Sequence, residues 1–587
     1  MKAISRFIWI VVLTTFCVAC GGNGNGKSQQ EQVQPPEPPV VTVGAGLKQL
    51  IFSWAEVSGV THYKLLENPD GHSGFTQVGA NMPNGTLSVT RHIAVHLHDF
   101  ANALYMLQAC NGAGCTISTE VSVANLMFDT VGYIKASNAE QGRSHSLDEF
   151  PTGDRFGAAV ALSADGSTLA VGAPGEDGGS TGINGDQSDN SAWDAGAVYI
   201  FRLIGGEWLQ QDYIKASNAG GGDPTSGDLF TYDEGDRFGS AVSLSSDGNT
   251  LAVGAQYEGS SATGVNGDQD DNSALHSGAA YVFRFDGTDW RQQAYIKASN
   301  TEGYFQQYLA DRFGQGIALN ADGNTLAVGA PGEDSNATGI DGDQTDNSVS
   351  SAGAVYVFRF DGTDWSQQAY VKTSIADELD RYRGDQFGWA VVLSTDGNTL
   401  AVGGSIFRFD GTDWFEQACV MTDTFGHCRN GSSALSADGN MLALGAYIFR
   451  FDGVQWTQRG TVTDSITEEG YELASPDALS DDGNILAVRA HRYDSDSGSR
   501  DDAVYIIQSI DGEWTHHPYL EAHISDRGAN YNPCDYYTND DFGRRISMSG
   551  DGNTLAVGAP GEDSNATGIG GDQSDNSACG SGAVYLY

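Results

Sequence analysis

The sequence predicts an all-β protein, a seven-bladed β-propeller preceded by a small β-sandwich. Three observations lead there. Asp-Gly followed by a short apolar strand recurs at Asp165, Asp247, Asp322, Asp396, Asp438, Asp482 and Asp551. Residues 322–340 return unchanged at 551–569. The last unit ends at 583–587 on its third strand, while a copy of the missing fourth, Tyr133-Ile134-Lys135-Ala136-Ser137, stands before the first unit.

Within a unit the elements follow in order. Phe-Gly comes nine residues ahead of the Asp in five units, as Phe156-Gly157, Phe238-Gly239, Phe313-Gly314, Phe387-Gly388 and Phe542-Gly543. Leu-Ala-Val-Gly-Ala-Pro follows the Asp in full at 169–174, 326–331 and 555–560. Then come Ala-Val-Tyr-Val-Phe (354–358 in one copy), Asp-Gly-Thr-Asp-Trp and Tyr-Ile-Lys-Ala-Ser. The segments alternate or are wholly apolar over short runs, as strands do. The Asp-Gly pairs supply the positive φ angles that tight hairpins need. One unit is therefore four antiparallel strands. Alone it cannot bury both faces; seven arranged radially can. Pairing of the strand at 131–137 with the last sheet would close the ring and remove an open edge.

Ahead of the repeats the chain changes character. Lys2 and Arg6 precede an apolar run from Phe7 to Phe16 that is too short to span a bilayer. It ends in Cys17-Val18-Ala19-Cys20 and then Gly21-Gly22, which resembles the lipobox of bacterial lipoproteins. The resemblance implies a signal segment over 1–19 and lipidation of Cys20. Cys17 departs from the usual aliphatic residue, and an ordinary secretory peptide is the alternative. Residues 20–37 read as a tether, too polar to build a core. From 38 to 126 short strands alternate with turns: 50–54, 63–66, and 104–109 before Asn111-Gly112. That spacing predicts a β-sandwich. Trp54, Tyr63, Tyr105 and the run 109–114 resemble a fibronectin type III domain, with Ala103 where that family's corner tyrosine is expected. Such domains serve as spacers or binding modules. The propeller is assigned to 127–587.

Phe-Gly followed by Gly-Ala-Pro resembles the FG-GAP repeats of the integrin α-subunit propeller. The likeness is specific in units one, two, three and seven and weak in five and six; unit six lacks both motifs and unit five has Phe425-Gly426 out of register. It implies a recognition and scaffolding module, with calcium held in a loop between strands one and two. Here that connection is only Ser163-Ala164-Asp165-Gly166-Ser167, too short to surround Ca²⁺. These aspartates are read as turn formers. The exported "SPDG…LAF" repeat is a competing resemblance, and it also gives a propeller.

With 76 Asp and Glu against 30 Lys and Arg, the net charge of −46 argues against nucleic acid as a partner. Six cysteines remain after Cys17 and Cys20, as Cys110/Cys115, Cys419/Cys428 and Cys534/Cys579. An even count in an exported chain predicts three disulfides and leaves their connectivity open.

Acidic residues gather between strands two and three, at Asp186/Asp189/Asn190, Asp268/Asp271/Asn272, Asp343/Asp346/Asn347 and Asp572/Asp575/Asn576. Hard oxygen donors with Gly and Ser between them suit Ca²⁺. Asn184, Asn266 or Asp341 offers a further oxygen, where Gly570 stands in unit seven. Metal-free Asx turns are the alternative. Glu176-Asp177, Glu333-Asp334 and Glu562-Asp563 begin the same loops. Arg383-Gly384-Asp385 is read as a coincidental match to an integrin-ligand tripeptide, and His92, His96 and His98 as an exposed strand face.

No HExxH motif is present, and no catalytic residue is assigned. The sequence reading is a non-enzymatic, lipid-anchored adhesion protein of a bacterial envelope or outer membrane. It recognises an unknown protein or glycan through its loop face, with calcium as a candidate cofactor. A carbohydrate-active enzyme and a purely structural envelope protein are the alternatives.

Overall fold

The computed structural model describes residues 33–140, 153–222, 235–302, 310–373, 386–420, 428, 431–462, 471–493, 500–522 and 540–587. Residues 1–32, which hold the expected signal segment and Cys20, lie outside them, as do Arg383-Gly384-Asp385. The described chain is almost wholly β.

Seven four-stranded antiparallel sheets follow one another in the described residues. In the first, the strands Ala159–Leu162, Thr168–Ala173, Ala197–Ile204 and Glu207–Ile214 pair in sequence order. The two inner strands of each repeat are buried on both faces, so they run as continuous apolar segments such as Thr250–Ala255 and the start of Ala279–Phe285. The first strand of each sheet lies against that of the next, and Ile546–Met548 of the last lies against Ala159–Leu162 of the first. The last sheet takes its outer strand from the other end of the propeller segment, Ala583–Leu586 pairing with Gly132–Ile134. This is a propeller fold.

The spacing of its glycines has a steric cause. A Cβ on Gly172 would stand 2.0 Å from the backbone oxygen of Gly239, and one on Gly254 2.0 Å from that of Gly314. Gly329 meets Gly388 and Gly558 meets Gly157 in the same way. The glycine of Val-Gly-Ala in one blade thus faces the glycine of Phe-Gly in the next, and the two motifs are halves of one contact. The Asp-Gly turns are closed locally. The Asp165 carboxylate accepts the Ser163 hydroxyl (2.6 Å) and the Ser167 N–H (2.9 Å), while Gly166 takes φ +66.

Ahead of the propeller, a three-stranded sheet (Val41–Gly46, Gln49–Trp54, Ser88–His92) and a five-stranded sheet containing His62–Asn68 and Leu104–Asn111 share one core. Leu50, Phe52, Tyr63, Leu65, Tyr105 and Leu107 fill it. This unit rests on the Asp-Gly turns of the last blade. Lys48 Nζ donates to the Asn553 carbonyl (2.8 Å) and the Thr554 hydroxyl (2.6 Å). His96 Nε2 meets the Gly552 carbonyl at 2.8 Å. His96 is buried on a 3-10 turn, Val95–Leu97, which corrects the expectation of an exposed strand face: the propeller covers it.

Disulfides join Cys110 to Cys115 and Cys419 to Cys428. Cys579 is disulfide-bonded, and Cys534 lies outside the described residues. Among the described residues no helix is long and apolar enough to cross a membrane.

Candidate functional site

The loops between strands two and three share one face of the propeller, opposite the Asp-Gly turns. Their acidic residues point back onto the loop backbone. Asp186 accepts the Ser188 N–H (2.9 Å) and hydroxyl (2.7 Å); Asp343 does the same with Thr345, and Asp572 with Ser574. Asp268 accepts the Asp270 N–H, and Asp189, Asp271 and Asp346 accept the N–H of Ser191, Ser273 and Ser348. Hydrogen bonds from Ser261 and Ser273 hold Asp271 down at about 2. Asn190 donates to Glu140 and Asn347 to Glu302, while Asn272, Asp575 and Asn576 occupy the matching loop positions.

The further oxygen expected at Asn184, Asn266 and Asp341 is used elsewhere. Each side chain accepts the N–H of Tyr213, Tyr295 or Tyr370 in the blade's own outer strand, at 2.9–3.0 Å. All three residues take positive φ, and Gly570 does so in blade seven. The loop therefore pairs along an edge strand and covers it. Among the described residues no group of three or more His, Cys, Asp or Glu side chains could hold a metal ion. In this arrangement the loop carboxylates serve Asx turns.

The Glu that opens each loop belongs to the interior. Lys215 Nζ meets Glu176 at 2.6 Å, Lys297 meets Glu258 at 2.7 Å, Lys372 meets Glu333 at 2.6 Å and Lys135 meets Glu562 at 2.6 Å, all buried. The other carboxylate oxygen accepts a tyrosine hydroxyl, Tyr213, Tyr295, Tyr370 or Tyr133. Asn138, Asn218 and Asn300, on the connection from the preceding blade, donate to Glu176, Glu258 and Glu333. Burial lowers each lysine's pKa and the paired Glu opposes that shift. The repeating Tyr-x-Lys, and Gly-Glu in three of the four loops, were visible in the sequence; that they are partners was not.

Sequence reasoning missed the centre. A cavity of about 360 Å³ opens on the axis of the loop face and takes side chains from all seven blades. It continues into a narrower section of about 190 Å³, walled by Ala159, Val160, Ala241, Val242, Ile317 and Val391, with Asp477 beside Arg545. Five arginines line the mouth: Arg155, Arg237, Arg489, Arg544 and Arg545. Arg237 pairs with Asp194 at 3.6 Å, Arg489 with Asp502 and Asp541 at 3.3 and 3.1 Å, and Arg544 with Asp541 at 3.8 Å. Burial, with Arg237 and Arg544 nearby, lowers the Arg155 pKa. Burial raises Asp477 to about 6 against the pull of Arg545 and Arg489. The signal lay in what the repeat does not repeat: the residue after Phe-Gly is Ala158, Ser240, Gln315, Trp389 or Arg544, and all five line this mouth.

The FG-GAP repeat family matches residues 232–283. No curated protein matches the chain. Among solved structures, the β-propeller domain of Swd1 from Myceliophteria thermophila is similar at 10% identity, over 82% of this chain and 93% of that one, with a TM-score of 0.26. The β-propeller domain of the Trilobed protease from Pyrococcus furiosus is similar at 7% identity over 82% and 96%, TM-score 0.28. The GH93 α-L-arabinofuranosidase of Fusarium graminearum is similar at 11% identity over 64% and 98%, TM-score 0.28. Propeller enzymes thus stand among the structural neighbours, and the expectation of a non-enzymatic chain is corrected: the fold is compatible with enzyme function. The chain carries an FG-GAP repeat in a propeller fold.

Proposed function

We propose that this chain is an exported recognition protein, tethered to a bacterial envelope through Cys20, that takes a protein or glycan partner on the loop face of its propeller. Residues 38–126 serve as a fibronectin-like spacer. The inequality of the two propeller faces carries the reading. The Asp-Gly turn face receives the N-terminal sheets at Lys48 and His96, while the opposite face bears the long loops and the axial mouth. Functional residues on loops of a rigid scaffold are the usual arrangement. The disulfides fit an oxidising compartment.

The test uses the soluble form starting at Gly21 on glycan and protein arrays, beside a variant whose 178–192 and 335–349 insertions are cut to the length of blade four. Binding that disappears in the shortened variant supports the reading; no bound partner in either form leaves a structural envelope role. A second reading, a carbohydrate-active enzyme, draws on the Asp477 and Arg545 side chains inside the channel. Release of reducing ends from polysaccharides, lost in Asp477→Asn, would favour it.

A further inference from the structure

We propose that the axial mouth binds an acidic sugar residue of the uronic acid class, its carboxylate held by Arg155 and Arg545 and its ring laid against Trp389. The proposal names a ligand for the recognition face above and rests on that reading.

The chain has only 30 basic residues against 76 acidic ones, yet five arginines meet at one opening. Arg237, Arg489 and Arg544 are matched by Asp194, Asp502 and Asp541. Among the described residues, Arg155 has no carboxylate at ion-pair distance, Asp541 and Asp194 acting on it from farther off, and Arg545 has Asp477 as its opposing charge within the channel. A guanidinium presents a planar fork that fits a carboxylate, and desolvation in a cleft strengthens the pairing. Arg155 is held at φ +58, the backbone conformation that Arg237, Arg312, Gln386 and Asp541 share at the matching position of their blades. Local positive charge in such a cleft draws an anion in spite of the acidic surface around it.

The other lining groups suit a sugar better than an inorganic ion. Trp389 is 42% exposed and borders both the mouth and the narrower section, which leaves an aromatic surface open to ring C–H groups. The Gln256 side-chain oxygen is buried with no hydrogen-bond partner, so a ligand hydroxyl would satisfy it. Gln315 and Ser240 add donors and acceptors on the same wall. A volume of about 360 Å³ admits a small ligand or a chain end rather than a broad macromolecular surface.

Isothermal titration of the soluble chain with glucuronate, galacturonate and an oligogalacturonide, beside glucose and galactose, tests the site. Uronate binding is expected, weakened by about tenfold or more in Arg155→Gln and in Trp389→Ala. Both variants should keep the parent melting temperature, since Gln386 occupies the Arg155 position in blade four at φ +50 and Trp389 is an exposed side chain outside the apolar core. Arg312→Gln, which does not line the mouth, should bind as the parent does. Binding of the free acids identifies a free uronate as sufficient; Arg155-dependent binding of the oligomer alone identifies a glycan end, and both support the site. Equal binding of neutral sugars, or uronate affinity unchanged in both variants, overturns it. An array partner lost on loop shortening, with no uronate bound, sinks the acidic-sugar site and leaves the recognition reading standing. Uronate binding with no effect of loop shortening does the reverse.

Discussion

Asp236 and Asp311 stand two places before Phe238 and Phe313, buried at the base of the long connections. Asp236 accepts the Gly220 N–H at 2.7 Å and Asp311 the Glu302 N–H at 3.1 Å. Burial raises them to about 7 and about 8. The folded chain therefore holds these protons more tightly than the unfolded chain does. Their contribution to stability is full below the ordinary carboxylate value and is lost as pH rises through about 7 and 8. We expect the melting temperature of Asp236→Asn/Asp311→Asn to fall less than that of the parent between about pH 4 and 8; parallel curves would show the two groups to be silent. Lys297 makes a second prediction. Its ammonium is matched by Glu258, and Ser277 accepts another of its protons at 2.8 Å. Lys297→Met should cost about 3–5 kcal/mol in denaturant unfolding, because it leaves a buried carboxylate without its counter-charge.

At the scale of elements, blade-to-blade packing depends on close backbone approach. Gly254→Ala would press a Cβ onto the Gly314 oxygen, and about 3 kcal/mol of lost stability is expected from denaturant melts. The loops make a different prediction. Because their aspartates are occupied by Ser and Thr donors of the same loop, melting curves in EDTA and with added Ca²⁺ should coincide. A calcium-dependent rise that vanishes in Asp186→Ala/Asp189→Ala would mean that the loops rearrange around the ion. Strands and their order were legible here, since each apolar run has the length and bounding turns of a strand. The loop register was not: Asn184 resembles a cation ligand by composition, and only its pairing with Tyr213 shows it to be an edge cap.

For the whole molecule, closure joins distant parts of the chain. Val584 pairs with Ile134 and Tyr585 with Tyr133, and both tyrosines are buried. Deleting 583–587 strips the last blade of its third strand and exposes two edges. Calorimetry and gel filtration should then show a lower, broader transition and self-association; a sharp, unshifted transition in a monomer would mean that the ring does not depend on that strand.

The sequence by itself determined the repeat, the all-β propeller class and the turn chemistry, because these depend on local periodicity and on residues near in the chain. It also exposed the charge imbalance that makes a basic cluster conspicuous. Tertiary structure alone decided the partners of Glu176 and Glu258, the burial of His96 and the meeting of five arginines on the axis. Those contacts join residues tens to hundreds of positions apart, and only the radial arrangement of blades brings them within reach.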